Sequence, residues 1–371
     1  MNHFVEKPFA YLLLIIGSIL LITVPSFSQK IHDFDSLYKQ LPDYKSAIDK
    51  AYNSSDFFDD NLPTLNITLT SDFKKLTKTK DQSKYQKAQI SLMLNDTVQL
   101  NQKLKIKTRG ALRKEICYYP PIKLNFPKND MVVESMREFD KMKMVSNCRP
   151  GNTYEQYIIS EYLTYKIYNI LTDYSLRVRL LNVKYVDTSG KYKPNTRHSF
   201  IIEPIEQLAA RKSCIPVDLF KIHSKYMNAQ EETTMAIFQY MIGNTDFSVP
   251  GAHNMKFIKS TDFSKPEPYA IPYDFDYIGM INAPYAIPSE ALPIKKVTDR
   301  FFMGACRTKA EYKKTIEIFK SKKSEIYKLI NTNQLLSKSN KKRHIRYLDQ
   351  FYKAISTSYT INNDLKGNCL K

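Results

Sequence analysis

Apolar residues follow two successive rhythms in this chain, and the order of those rhythms limits the fold more than any other feature. Leu65 to Thr70, Ala88 to Leu94 and Leu104 to Thr108 alternate apolar and polar residues, as half-buried strands do, and Ile122 to Phe126 adds a fourth such run. A helical run follows over Tyr154 to Leu171, where Tyr154, Tyr157, Ile158, Tyr165 and Tyr168 recur at helical spacing. Arg177 to Val186 and Ser199 to Ile202 return to strand character around the turn Asp187-Thr188-Ser189-Gly190 and read as a hairpin. After Pro204 the pattern is helical, in Ile205 to Arg211, Ala229 to Ile242, Lys309 to Ile330 and Lys341 to Ser356. This order predicts an α+β chain with a strand-rich lobe over 64–204, a helical lobe over 205–371, and an N-terminal helix and linker over 29–63. Aromatic residues at 12%, with 26 Tyr and no Trp, supply the burial that a disordered chain lacks.

The first 28 residues set the compartment. Lys7 precedes an unbroken apolar stretch from Ala10 to Val24, and small Ser26 and Ser28 stand where a signal peptidase reads before Gln29. That pattern predicts a cleavable signal peptide over 1–28 and an extracytoplasmic protein, whether periplasmic, cell-surface or secreted. No later segment is apolar enough to cross a membrane, so no stable span is expected after cleavage. Five cysteines in an exported chain permit disulfides. Cys117 with Cys148 is the preferred pair; Cys306 with Cys369 is a second, which leaves Cys214 unpaired, although spacing alone does not fix the connections.

The net charge of +19 survives cleavage, because Glu6 and Lys7 leave together. The lysines are spread along the chain and not gathered into an arm or stripe, which argues against a nucleic-acid partner. They read as solvated surface or as an attraction to acidic substrates and anionic envelope polymers.

Absent motifs narrow the chemistry. Nine glycines are present, none spaced as a dinucleotide-binding or Walker phosphate loop. There is no His-Glu-x-x-His and no Gly-x-Ser-x-Gly, which removes the best markers of zinc peptidases and serine hydrolases. The unusual residues lie in two stretches. One runs from Gly243-Asn244-Thr245-Asp246 to His253-Asn254, and the other is Pro272-Tyr273-Asp274-Phe275-Asp276. A hairpin between them would bring the two together. The layout suits phosphoryl transfer, with Asp246 orienting an attacking hydroxyl while Asn254 and Asp274 hold a divalent ion on the phosphates. Gathering Asp246, Asp274 and Asp276 would be costly without a cation, because like charges at 4 Å repel by about 4 kcal/mol at an effective dielectric of 20. A hard ion such as Mg²⁺ would relieve that repulsion. The plainer reading makes Asp246 and Asn254 turn residues and Asp274-x-Asp276 a polar strand end.

Four stretches carry a resemblance to the kinases related to spore-coat protein H, the CotH-like family. Lys105-Ile106-Lys107-Thr108-Arg109-Gly110 with Pro121-Ile122-Lys123-Leu124-Asn125-Phe126 resembles the family's Arg-Gly segment and its Lys-bearing strand. Ser199-Phe200-Ile201-Ile202-Glu203-Pro204 is similar to its inter-lobe strand, and the two acidic stretches above resemble its catalytic loop and metal-binding turn. The similarity spans about residues 64 to 305 and implies a two-lobed protein-kinase-like fold, with a strand-rich N-lobe and a helical C-lobe. It further implies a phosphotransferase that moves the γ-phosphate of ATP, with Mg or Mn, onto protein hydroxyls. Asp246 would be the catalytic carboxylate, and Asn254, Asp274 and Asp276 the metal-side residues. Lys123 would hold the nucleotide phosphates, with Lys107 and Arg109 as rivals, and Glu203 would sit at the nucleotide. Glu161, on the mostly apolar helix face between Ile158 and Tyr165, would pin the phosphate Lys, with Glu155 as its rival. Two departures stand out. Asn254 lies eight residues beyond Asp246, more than in ordinary protein kinases, and the Arg-Gly segment continues as Ala111-Leu112. A catalytically inactive envelope scaffold and a metal-dependent phosphoesterase using Asp246, His253 and Asp274 are the alternatives.

Overall fold

The computed structural model describes residues 55–58, 64–93, 99–110, 112–118, 120–127, 140–149 and 151–371. The expected signal peptide lies outside these residues, as does the expected linker apart from the 3₁₀ turn Ser55–Phe58.

The alternating segments form a barrel. Strand β1 (Leu65–Ser71) leads through the short helix α1 (Phe73–Lys78) to β2 (Gln86–Met93) and β3 (Gln99–Thr108). Helix α2 (Leu112–Ile116) precedes β4 (Ile122–Asn125) and β5 (Lys141–Val145). The long helix α3 (Asn152–Leu171) follows, and β6 (Val178–Asp187) and β7 (Asn195–Ile202) complete the set. The strand order is β1-β2-β3-β4-β5-β7-β6, and β6 pairs back onto β1. Every contact is antiparallel except β1 with β6, which is parallel. Side chains alternate across the wall as the period of two requires. Ile106, Leu124 and Met142, directly opposite one another, point inward to a core shared with Ile67, Leu69 and Val183.

This closed mixed barrel overturns the expected two-lobed protein-kinase-like fold. The two strands that would have been the free edges of an open sheet, Leu65–Ser71 and Val178–Asp187, pair with each other over seven registered positions. Alternation tells which face of a strand is buried, but it does not name the neighbour across a long sequence gap.

A second hydrophobic core joins α3 to the remaining elements. These are α4 (Ile205–Arg211), β8 (Cys214–Val217), α5 (Ala229–Ile242), β9 (Met255–Ser260), β10 (Tyr269–Pro272), α6 (Lys309–Thr332) and α7 (Lys338–Ile355). Strands β8, β9 and β10 make a small antiparallel sheet in the order β10-β9-β8. Helix α6 begins at a capping box, in which the Thr308 hydroxyl and the Glu311 carboxylate satisfy each other's backbone N–H groups. Helix α3 is buried on most sides, with Tyr165 and Tyr168 both fully enclosed. Tyr168 stacks on Phe238 of α5 at 4.4 Å, and Tyr165 meets Phe275 at 4.6 Å.

Among the described residues two disulfides are present, Cys117–Cys148 and Cys306–Cys369, and the buried Cys214 thiol donates to the Lys212 carbonyl at 3.3 Å. Among the described residues no helix is long and apolar enough to cross a membrane. Both facts are compatible with a location outside the cytoplasm.

Candidate functional site

Helix α5 delivers the first acidic stretch. It ends at Gly243, whose φ of 66° is left-handed and whose N–H closes onto the Gln239 and Tyr240 carbonyls. A Cβ at Gly243 would run into the Tyr347 hydroxyl, so only glycine fits this cap. Asn244 then braces the loop: its amide donates to Gln239 Oε1 at 3.0 Å and its oxygen accepts the Asp246 N–H at 2.9 Å. Asp246 is partly exposed and is held from two sides. His253 Nε2 donates to its Oδ1 at 2.9 Å, and Asn254 Nδ2 donates to its Oδ2 at 3.0 Å and to its main-chain oxygen at 2.8 Å.

The β9–β10 hairpin brings in the second stretch. Pro272 pairs with Met255, and the Tyr273 N–H donates to the Asn254 carbonyl at 3.1 Å. The Asp274 N–H donates to the Tyr165 hydroxyl at 2.8 Å, which ties the turn to α3. Ala252, Asn254 and Asp274 all carry positive φ, at 50°, 51° and 68°. Left-handed backbone away from glycine costs about 1–3 kcal/mol, least for Asn and Asp, and such strain clusters at functional sites. Three strained residues in two adjoining loops mark this region out.

Behind the loops lies a buried charge cluster. Arg113 Nη1 reaches Glu161 Oε2 at 3.0 Å, and Arg113 Nε lies 3.6 Å from Asp276 Oδ2. Tyr285 also hydrogen-bonds Asp276. Burial pushes both carboxyls upward, against the pull of Arg113, and the charges of Asp274 and Asp246 push Asp276 further. Arg113 stays firmly protonated, because Glu161 and Asp276 outweigh its own burial. Glu161 Oε1 is buried with no hydrogen-bond partner among the described residues. Two carboxylates therefore share one guanidinium. Asp276, expected at the metal, and Glu161, expected at a lysine, are both taken up by Arg113.

The other expected residues are placed as follows. Glu155, the rival of Glu161, accepts from His198 Nδ1 at 2.6 Å and from the His198 N–H at 3.0 Å. Glu203, expected at the nucleotide, is bonded within the fold: Arg211 Nε donates to its Oε1 at 3.0 Å, and Arg211 Nη2 and the Arg177 N–H donate to its Oε2 at 3.1 and 2.9 Å. Lys107 and Lys123 stand directly opposite each other on β3 and β4.

The sequence reading missed Lys143 on β5, directly opposite Lys123. Its Nζ lies 3.9 Å from the centre of the Tyr273 ring, so the outer wall of the barrel meets the acidic hairpin there. Burial, then the charge of Arg109, lowers the Lys143 amine to about 7, with Asp274 pulling the other way. Lys123 is lowered in the same way, first by burial and then by Lys107. Alternation in Lys141-Met142-Lys143-Met144-Val145 was the available signal. Arg113 also went unread; it follows the Arg-Gly segment on a five-residue helix too short for periodicity to reveal.

Among the described residues no group of three or more His, Cys, Asp or Glu side chains is placed to hold a metal ion. The donors left open are Asn254 Oδ1, whose amide nitrogen is spent on Asp246, and the Asp274 carboxylate. Both are hard oxygen donors of the kind Mg²⁺ or Mn²⁺ takes together with substrate phosphates, in place of an all-protein cage.

The sequence matches no known protein-family model, and no curated protein matches it. The resemblance to the CotH-like family therefore rests on its four stretches alone.

Proposed function

We propose that this chain is an extracytoplasmic phosphotransferase that moves a terminal phosphoryl group, as from ATP, onto protein hydroxyls. The observation that carries the reading is the meeting of opposite charges at one place: Asp246, Asn254 and Asp274 lie on linked loops, and Lys143 of the barrel wall sits on the Tyr273 ring beside them. Asp246, fixed by His253 and Asn254, orients the acceptor hydroxyl and takes its proton. Its partial exposure lets a bulky protein acceptor approach. Asn254 Oδ1 and Asp274 would hold Mg²⁺ or Mn²⁺. That ion, when bound, neutralises charge on the transferring phosphates. Lys123, Lys143 and Arg109 supply the positive wall for those phosphates. Periplasm, cell surface and medium all fit the paired cysteines and the leader-like start of the sequence.

The test is transfer of label from ATP by the full mature chain with Mg²⁺ or Mn²⁺. Asp246→Asn is expected to lose about 10²–10⁴-fold in rate, the usual worth of a positioned acid–base group. Asp274→Asn should require more metal for the same rate. Equal transfer by wild type and both variants would remove the site. The His253–Asp246 contact also suits a hydrolytic phosphoesterase, in which water replaces the acceptor. Release of free phosphate from a chromogenic ester, with no label on protein, would decide for that reading.

A further inference from the structure

The barrel wall carries three lysines in one row. Lys107 of β3 lies directly opposite Lys123 of β4, which lies directly opposite Lys143 of β5. Residues opposite one another on neighbouring strands point to the same side of a sheet. The inward side is taken by Ile106, Leu124, Met142 and Met144, so the lysines face outward, where Lys143 Nζ meets the Tyr273 ring at 3.9 Å and Lys107 Nζ the Tyr85 ring at 4.8 Å. Like charges set opposite each other destabilise a sheet. Among the described residues none of the three lysines is ion-paired with a carboxylate, although elsewhere lysines find such partners, as Lys141 does with Asp140 at 2.8 Å. Arg109 adds a fourth positive charge close enough to depress Lys143. From Lys107 to Lys143 the row crosses two strand spacings, about 10 Å, which suits a linear chain of three phosphates better than a single phosphate.

Nothing comparable awaits a nucleobase at Glu203. Its carboxylate is occupied by Arg211 and the Arg177 N–H, and its own N–H donates to the Arg177 carbonyl at 2.9 Å.

We infer that the row Lys107, Lys123 and Lys143, with Arg109, is a binding site for a linear phosphoanhydride chain of three or more phosphates, read without regard to any base. Inorganic tripolyphosphate and longer polyphosphate are then ligands beside nucleoside triphosphates. Their use as donors rests on the transferase reading above; their binding does not. In that use the acceptor oxygen bonds to the terminal phosphorus and the terminal P–O–P bond breaks. The chain leaves one phosphoryl shorter with the bonding electron pair, and the hydroxyl proton passes to Asp246.

The experiment is calorimetric titration of the full chain with tripolyphosphate, ATP, GTP and adenosine, followed by label transfer from each phosphate donor. Tripolyphosphate, ATP and GTP are expected to bind within about threefold of one another, adenosine not at all, and Lys143→Met to weaken all three about tenfold, the worth of one charged hydrogen bond. Lys123→Met repeats the test should Lys143→Met fold poorly. The single variant Lys313→Met removes equal charge from the exposed face of α6 and should leave binding unchanged. ATP binding a hundredfold tighter than tripolyphosphate and GTP would overturn the inference, as would an equal loss in the α6 variant, even if ATP still labels protein. Base-blind binding with no transfer from any donor would sustain this site and end the transferase reading.

Discussion

Two charged regions of this molecule are built on opposite principles. In the buried cluster each guanidinium has a carboxylate: Arg113 meets Glu161, and elsewhere Arg211 meets Glu203 and Arg307 meets Glu232, each at 3.0 Å. On the barrel wall Lys107, Lys123 and Lys143 stand side by side without such partners among the described residues. Charges that are buried and matched hold the fold, since removing either member strands the other. Charges aligned and unmatched at a surface cost stability and are suited to a ligand that has the opposite sign. Residue type alone does not separate the two roles; partnership does.

That contrast can be broken most directly with Arg113→Ala. It strands Glu161 and Asp276 in the interior and should cost about 3–5 kcal/mol in urea unfolding, against less than about 1 kcal/mol for Lys143→Met. A larger loss from the lysine would reverse the assignment. Next in size is the Cys117–Cys148 bond, which closes 31 residues and ties the end of α2, bearing Arg113, to the end of β5, bearing Lys143. Replacing both cysteines by Ser should cost about 2–4 kcal/mol and weaken phosphate binding as well. Removing Cys306–Cys369 should lower stability with phosphate affinity intact, and the pair of titrations separates the two bonds. Tyr165→Phe leaves the Asp274 N–H without its acceptor and should cost about 1–2 kcal/mol, with more metal needed for activity.

The pH effect, smallest over a single unit, has the most specific sign. The Lys143 amine is lowered to about 7 in the folded protein, from an ordinary value of 10.5. Between those values the unfolded chain holds a proton that the folded chain has given up, so raising the pH favours folding. The gain stays under about 1.4 kcal/mol per pH unit and should vanish in Lys143→Met. Denaturant midpoints taken from pH 7 to 10 in both proteins measure it, and parallel curves would show that Lys143 is an ordinary solvated lysine.

Local patterns were legible and distant pairings were not. The runs at Leu65, Ala88, Leu104 and Ile122 became β1 to β4, and Ile205–Arg211 became α4 with the expected bounds. Strand β5 was passed over because lysines occupy its polar positions and methionines its apolar ones, a composition with weak strand preference. Barrel closure had no local signature at all, which is why the resemblance to a two-lobed fold misled. At the site, the grouping of Asp246, His253 and Asn254 followed from closeness in sequence. The capture of Asp276 and Glu161 by Arg113 did not, because that contact joins three separate elements. Lys143 was hidden for the same reason as its strand.

The parallel seam of the barrel also governs when the protein can finish folding. Asn66 and Asn182 are register partners, joined across 116 positions by a 3.0 Å hydrogen bond in which Asn182 Nδ2 donates to Asn66 Oδ1. A chain that emerges amino end first cannot make that seam until β6 has followed. Until then β1 and its neighbours present an open row of backbone donors and acceptors, the template on which other chains add. Closure of the barrel is thus timed by its last two strands, however early β1 to β5 are made.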